Sequence, residues 1–210
     1  MPSGKQNSKK EIIEPNLVIG EGDEEKFILE ALFAHLELKS VQAMGIGGKN
    51  NLKENLKMLK GSPKFESVSS IAILRDADSN PRGAFQSVQN ALRGADLPIP
   101  DRPLEWAGDK PRIKVMIVPE TERAGMLEDI CLESVSADPA MECVERYFEC
   151  LNTRQVQMEA GKISKAKANA FLASRPDPDK RLGEAAKAGY WPFANPAFDQ
   201  LKNFLRSIIE

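Results

Sequence analysis

Histidine, cysteine and tyrosine are scarce in this chain, and each shortage removes a class of chemistry. There is one histidine, His35, in 210 residues. A Ser-His-Asp or Cys-His mechanism would have to rest on it. It lies inside the amphipathic run Phe27 to Leu38, at i+4 from Ala31 and i+8 from Phe27, so a place on or beside the buried stripe of a helix accounts for it. The three cysteines, Cys131, Cys143 and Cys150, form an odd set without the paired C-x-x-C spacing of zinc sites. Cys143 and Cys150 are seven residues apart and share a face of one predicted helix; the expectation is reduced, buried thiols packing as small hydrophobes. No window approaches the roughly 18 consecutive apolar residues of a membrane-spanning helix. The polar, basic start Met1 to Lys10 has no apolar stretch behind it to form a secretory signal. A cytoplasmic chain without a membrane segment is expected, with a short disordered tail over residues 1–14.

Neither sign of charge dominates. The formal net charge is −2, so bulk electrostatics neither announce a nucleic-acid binder nor exclude one, since a metal-dependent nuclease has an acidic site and needs only local basic patches. Two clusters could supply them: Lys49, Lys53, Lys57 and Lys60, and Lys162, Lys165 and Lys167. A solvated helix face is the competing reading of each.

What the chain does have is alternation. Asn16 to Gly20 is a short apolar run bounded by Pro15, and a helical pattern follows through Phe27, Ile28, Ala31, Leu32 and Leu36. Val41 to Ile46 predicts a second strand, ending at Gly47-Gly48. Leu52, Leu56 and Leu59 then mark one helix face, capped by Asn50 or Asn51. Ser70 to Leu74 is a third strand running into Arg75-Asp76-Ala77-Asp78, with a helix opening at Asn80-Pro81. Leu97 to Arg112 is proline-rich and reads as a loop with irregular short strands, before a fourth strand from Ile113 to Val118. Helices follow over Met126–Ser134, Pro139–Leu151, Ile163–Ser174 and Pro196–Ile209, broken by the turns at Arg175–Asp179 and Tyr190–Phe193. The expected fold is α/β: a mostly parallel four-stranded sheet flanked by helices over residues 15–135, with a helical part over 136–210 packed on it.

Such sheets place ligands at the carboxyl ends of their strands, and the unusual polar residues fall there: Glu21 after the first strand, Gly47-Gly48 after the second, Asp76 and Asp78 after the third. In an extended chain Asp76 and Asp78 point the same way. Two converging carboxylates repel unless one is protonated or a cation lies between them, and a hard divalent ion such as Mg2+ or Mn2+ takes such oxygen ligands. Glu21 could add a third. Other readings stay open: Glu21 as a helix cap, Asp76 and Asp78 in an Asx-turn before Pro81, or a haloacid-dehalogenase-like phosphatase, whose nucleophilic aspartate would have to follow the first strand.

These motifs resemble a known family. Ile19-Gly20-Glu21-Gly22 with Glu25 is similar to the first Toprim motif, Gly47-Gly48 to the glycine step after its second strand, and Asp76-Ala77-Asp78 to its D-x-D, over about residues 15 to 120. Together with Gly125–Asp129 and the C-terminal helices, the chain resembles a small Toprim-like family, a domain of unknown function related to the Toprim domain of overcoming-lysogenization-defect (OLD) nucleases. The resemblance implies a Rossmannoid fold and metal-assisted phosphodiester chemistry. Glu21 would ligate a metal or act as general acid/base, Asp76 and Asp78 would hold the ion, and Glu25 and Glu128 would help bind a second, Asp129 being a rival to Glu128. Gly22, Gly47 and Gly48 would allow close backbone or phosphate approach, and Lys165 or Lys167 would stabilise transition-state charge. Asn80 stands where a longer D-x-D-x-D form has its third acid, and with only Tyr147 and Tyr190 a topoisomerase is not expected. Two functions follow as expectations: a Mg2+- or Mn2+-dependent nuclease on DNA or RNA, or a non-catalytic module binding a metal-nucleotide or a partner protein. Toprim nucleases also work with a partner ATPase or as homo-oligomers.

Overall fold

Strand alternates with helix through the first half of the chain, and the strands gather into one mostly parallel sheet. The computed structural model describes residues 11–209, apart from the Lys49 side chain; most of the expected tail, and Lys49 of the first basic cluster, therefore lie outside the described residues. Five strands form one sheet: β1 (Asn16–Gly20), β2 (Val41–Gly45), β3 (Ser70–Asp76), β4 (Trp106–Ala107) and β5 (Arg112–Val118). Their spatial order is β2-β1-β3-β5-β4, parallel except for β4, which runs antiparallel along the β5 edge. The predicted four-stranded sheet thus gains a two-residue edge strand within the proline-rich loop. Trp106 holds it there, its ring lying under the Arg112 guanidinium at 4.3 Å and the Lys114 ammonium at 4.5 Å.

Side chains alternate across the sheet with the period of two that strands impose. Leu17, Ile19, Ile71, Ile73, Ile113, Val115 and Ile117 face one core, shared with α2 (Leu52–Lys60) and α3 (Pro81–Gly94). Val18, Ala72, Leu74, Met116 and Val118 face the other. That second core takes α1 (Asp23–His35), α4 (Leu127–Ser134), α5 (Pro139–Thr153), α6 (Ile163–Leu172), α7 (Leu182–Lys187) and α8 (Asp199–Arg206). Both faces are covered, which explains why the strands read as near-continuous apolar runs. Ile12, only 2% exposed, joins the first core, so ordered packing begins within the segment expected to be tail.

The C-terminal helices dock through specific joints. Trp191 is buried and its indole N–H donates to Leu182 O at 3.0 Å. Helix α7, six residues long and not foreseen in the sequence, lies against α1 at Gly183: a Cβ there would sit 2.6 Å from Phe27 Cβ and 2.8 Å from Glu24 O. The Gly183 N–H donates to Glu24 Oε2 at 2.8 Å, and Lys187 pairs with Glu30 at 2.7 Å. His35 is exposed at the end of α1 and packs on Phe193 with ring centroids 5.7 Å apart, a place beside the buried stripe. Of the cysteines only Cys131 is buried; Cys143 and Cys150 are exposed. The expectation of three buried thiols fails because Met141 and Val144 form the buried stripe of α5, leaving the cysteine face outward.

Candidate functional site

Chain direction diverges between β1 and β3: from β1 the chain crosses to β2 on one side, and from β3 it crosses to β5 on the other. A crevice opens at the carboxyl ends of strands where the order reverses in this way. Glu21 follows β1 and Asp76 ends β3, so both acids flank this point. The Glu21–Gly22 turn is fixed by its neighbours. Gly48 N–H donates to Glu21 O at 2.6 Å, and Ile46 N–H to Gly20 O at 3.2 Å. A Cβ on Gly45 would lie 2.5 Å from Gly22 O, so β2 and this turn touch backbone to backbone. Gly47 and Gly48 have φ of 72° and 109°, the region glycine enters at least cost. The sequence marked Gly22, Gly47 and Gly48 for close approach; Gly45 is the position where a side chain would collide with backbone.

Each acid is already held by the protein. Arg75, 7% exposed, sends Nη1 to within 2.9 Å of Glu21 Oε1. That contact is close enough for an ion pair but not aligned as a hydrogen bond, so Glu21 Oε1 and Arg75 Nε are buried without an aligned partner. Asp76 Oδ1 accepts from Leu127 N–H at 3.1 Å and so caps α4 from across the sheet. Glu25 Oε2 accepts from Gly22 N–H at 2.8 Å, closing the first turn of α1. Of the rivals in α4, Asp129 is the capping acid, accepting from Met126 N–H at 2.7 Å and from Ser164 O–H at 2.6 Å. Glu128 is left buried beside the crevice.

The expected trio of Glu21, Asp76 and Asp78 is not preassembled around one point. Among the described residues no group of three or more His, Cys, Asp or Glu side chains stands ready to hold an ion. The extended geometry assumed for D-x-D ends at Asp76; Asp78 has φ of 49° and its carbonyl accepts from Gly125 N–H at 2.7 Å. With that turn, the i, i+2 rule no longer aims both carboxylates the same way.

Even so, the acids feel one another. Burial raises the Asp76 carboxyl well above the ordinary carboxylate range, and the charges of Glu21, Glu128 and Glu25 push it further, against the Leu127 N–H. Glu21 is raised first by burial, with Glu25 and Asp78 adding to it and Arg75 opposing. Glu128 is raised by burial too; Lys165 opposes, and Glu25 and Asp129 add. Four carboxylates from three separate segments thus share one electrostatic site.

Three of them, Glu21, Glu25 and Glu128, line a cleft of about 470 Å3 rimmed by Lys165 and Arg181. Lys165 belongs to this cleft; Lys167 does not, being engaged by Glu145 at 2.5 Å. The other lysines of the two clusters are also largely committed: Lys60 to Asp96 at 2.8 Å, Lys162 to Glu159 at 2.6 Å, Lys57 to Glu54 at 3.9 Å. Two residues of the site went unforeseen. Arg75 had a readable signal, since an arginine at the end of a buried strand requires a carboxylate partner. Arg181 had none: it follows a proline-rich turn and no spacing links it to the acids.

Over residues 15–210 the chain matches the family described as "Protein of unknown function (DUF3226)". The chain belongs to the DUF3226 family. The match includes every residue of the cleft. No curated protein matches the chain. Among solved structures, the C-terminal region of the Burkholderia pseudomallei OLD protein is similar at a TM-score of 0.44 and 12% identity, covering 87% of this chain and 99% of that one. The α/β assignment of this DUF3226 member stands on its own sheet. None of its described helices is long and apolar enough to cross a membrane.

Proposed function

We propose that the cleft carries out divalent-cation-dependent cleavage of nucleic-acid phosphodiesters. The observation that carries this reading is the gathering of Glu21, Glu25 and Glu128 on one cleft, with Asp76 beside them, at the reversal point of the sheet, where burial and neighbouring negative charge raise the carboxyl pKa of Glu21, Asp76 and Glu128. Buried like charges at a cleft favour a cation. The donor set is all oxygen, which suits Mg2+ or Mn2+, and the buried Glu21 Oε1 still lacks an aligned donor. Glu21, Asp76 and Glu128 would hold the ion, with Glu25 and Asp78 beside them. Bound there, the ion supplies Lewis acidity at the phosphoryl oxygen and a more acidic water. The protein's own contributions are separate. Arg75 restrains Glu21, Leu127 N–H orients Asp76, and Lys165 places positive charge beside Glu128 where a phosphate would develop charge.

A second reading rests on the same contacts. Arg75 already neutralises Glu21, and Asp76 and Glu25 already cap helices, which suits a non-catalytic module that binds a metal-nucleotide or a partner protein. The two separate in one assay. Plasmid, linear, single-stranded and RNA substrates are incubated with Mg2+ or Mn2+ and wild-type, Glu21→Gln or Asp76→Asn protein. Metal-dependent cutting lost in both variants supports the nuclease. No cutting by wild type on any substrate refutes it, and nucleotide-dependent thermal stabilisation would then support the second reading.

A further inference from the structure

The cleft has an acidic floor and a basic rim, and the rim comes from the C-terminal helices. Lys165 stands in the first turn of α6, and Arg181 immediately precedes α7. Both are exposed, and both line the cleft. Neither side chain makes a salt bridge or hydrogen bond among the described residues, whereas the adjoining Lys162, Lys167 and Lys180 are each tied to a carboxylate. Cations left unpaired beside an acidic cleft are placed for an anion that arrives from outside.

The position of Arg181 is imposed. Gly183, two residues on, is pressed against Phe27 and Glu24 with no space for a Cβ, and its N–H is bonded to Glu24 Oε2. Arg181 N–H itself donates to Glu184 Oε2 at 2.9 Å. The backbone that carries the guanidinium is therefore fixed to α1, the helix that carries Glu25. The arginine fork suits two oxygens of a phosphate.

Shape selects among phosphate ligands. A cleft of about 470 Å3 is in the size range of small-ligand pockets, and the Glu21 side chain on its floor is only 18% exposed. The phosphates of a duplex lie on a stiff rod that bends at a cost, whereas a separated strand bends freely to turn one phosphate toward a recessed acid. No aromatic side chain lines the cleft among the described residues, so base stacking supplies none of the grip and sequence preference is low. We propose that Arg181, with Lys165, grips the backbone of a single-stranded nucleic acid, Arg181 taking the phosphate next to the one presented to the acids. This rests on the reading of the cleft as a phosphodiester site, and it names the substrate class.

The test is binding against salt. Fluorescein-labelled single-stranded DNA, single-stranded RNA and blunt duplex DNA of equal length are titrated with the full chain by anisotropy in Mg2+, using Asp76→Asn protein so that the probe stays intact. Arg181→Ala, Lys165→Ala and, as control, Lys167→Ala are made in that background, with thermal melts to show that each folds. The expected result is tighter binding of single strands than of duplex. The slope of log K against log salt should become shallower by about 0.7 for Arg181→Ala and again for Lys165→Ala, the value of one single-strand phosphate contact, and stay unchanged for Lys167→Ala. DNA and RNA arms tell which sugar the strand carries. Equal slopes in all variants, duplex bound as tightly as single strand, or no binding to any probe would overturn the proposal. Cleavage by otherwise wild-type protein is scored separately: cutting that is indifferent to Arg181→Ala counts against this proposal alone. Slope changes without any cutting support the grip and count against the nuclease.

Discussion

Replacing Arg75 with methionine should be the most damaging single change near the cleft, and its damage should depend on pH. Arg75 and Glu21 are 2.9 Å apart with side chains only 8% and 18% exposed. At that distance and an effective dielectric of about 20, their attraction is about 6 kcal/mol, which is offset in the native protein by the desolvation of both groups. Methionine keeps the apolar stem but leaves Glu21 buried among Glu25, Asp76 and Asp78 without its cation. Removing one partner of a buried pair costs about 3–5 kcal/mol, which lowers the Tm of a chain this long by about 6–20 °C. The sign with pH follows from Glu21. A carboxyl raised in the folded state takes a proton more readily folded than unfolded, so folding is favoured below the unfolded pKa of about 4.3 and the penalty grows as pH rises above it. Loss of Arg75 raises Glu21 further. The deficit of Arg75→Met should therefore be largest near neutral pH and shrink toward pH 4, and Glu21→Gln added to it should restore much of the loss. Urea unfolding of the four proteins at two pH values measures this. A deficit equal at both pH values, or no rescue by Glu21→Gln, would refute the idea that charge rather than packing is what Arg75 supplies.

Asp76→Asn keeps an oxygen that can accept from Leu127 N–H while removing a charge that burial and three neighbouring acids oppose. It should raise stability by about 1 kcal/mol at neutral pH and by nothing near pH 4, read as the difference in Tm between the two conditions, while abolishing the proposed cleavage. Gly45→Ala would drive a methyl against Gly22 O at 2.5 Å; a loss of about 1–3 kcal/mol is expected, with any metal-dependent activity falling as the Glu21 turn shifts. Under native conditions a thiol reagent should label Cys143 and Cys150 at once and Cys131 only in denaturant; rapid modification of all three would contradict the packing of α4.

The strands and most helices were legible because apolar periodicity and terminal residues agree: Asn80 was expected before α3, and its side chain accepts from Gly83 N–H. Strand-end acids were legible for the same reason, since Glu21 and Asp76 follow apolar runs. What escaped depended on contacts between distant segments. Asp78 looked aligned with Asp76 until the turn to Gly125 took the chain out of its extended form. Lys165 and Lys167 are indistinguishable in sequence, and only the packing of α6 on α5 gives Lys167 to Glu145. Helix α7 is too short to show a period, and the docking of Gly183 on Glu24 joins residues 159 apart.

That last joint has a consequence for how the protein is made. The acids of the cleft are present once α4 has docked, but the rim arrives only with α6 and α7, in the final quarter of the chain. During synthesis from the N-terminus, a partly built chain would display a negatively charged recess with no grip on an anionic polymer. On the proposed grip, docking of Gly183 on Glu24 is then the step that turns the recess from repelling such a polymer to holding it, so the affinity reports that α7 has docked.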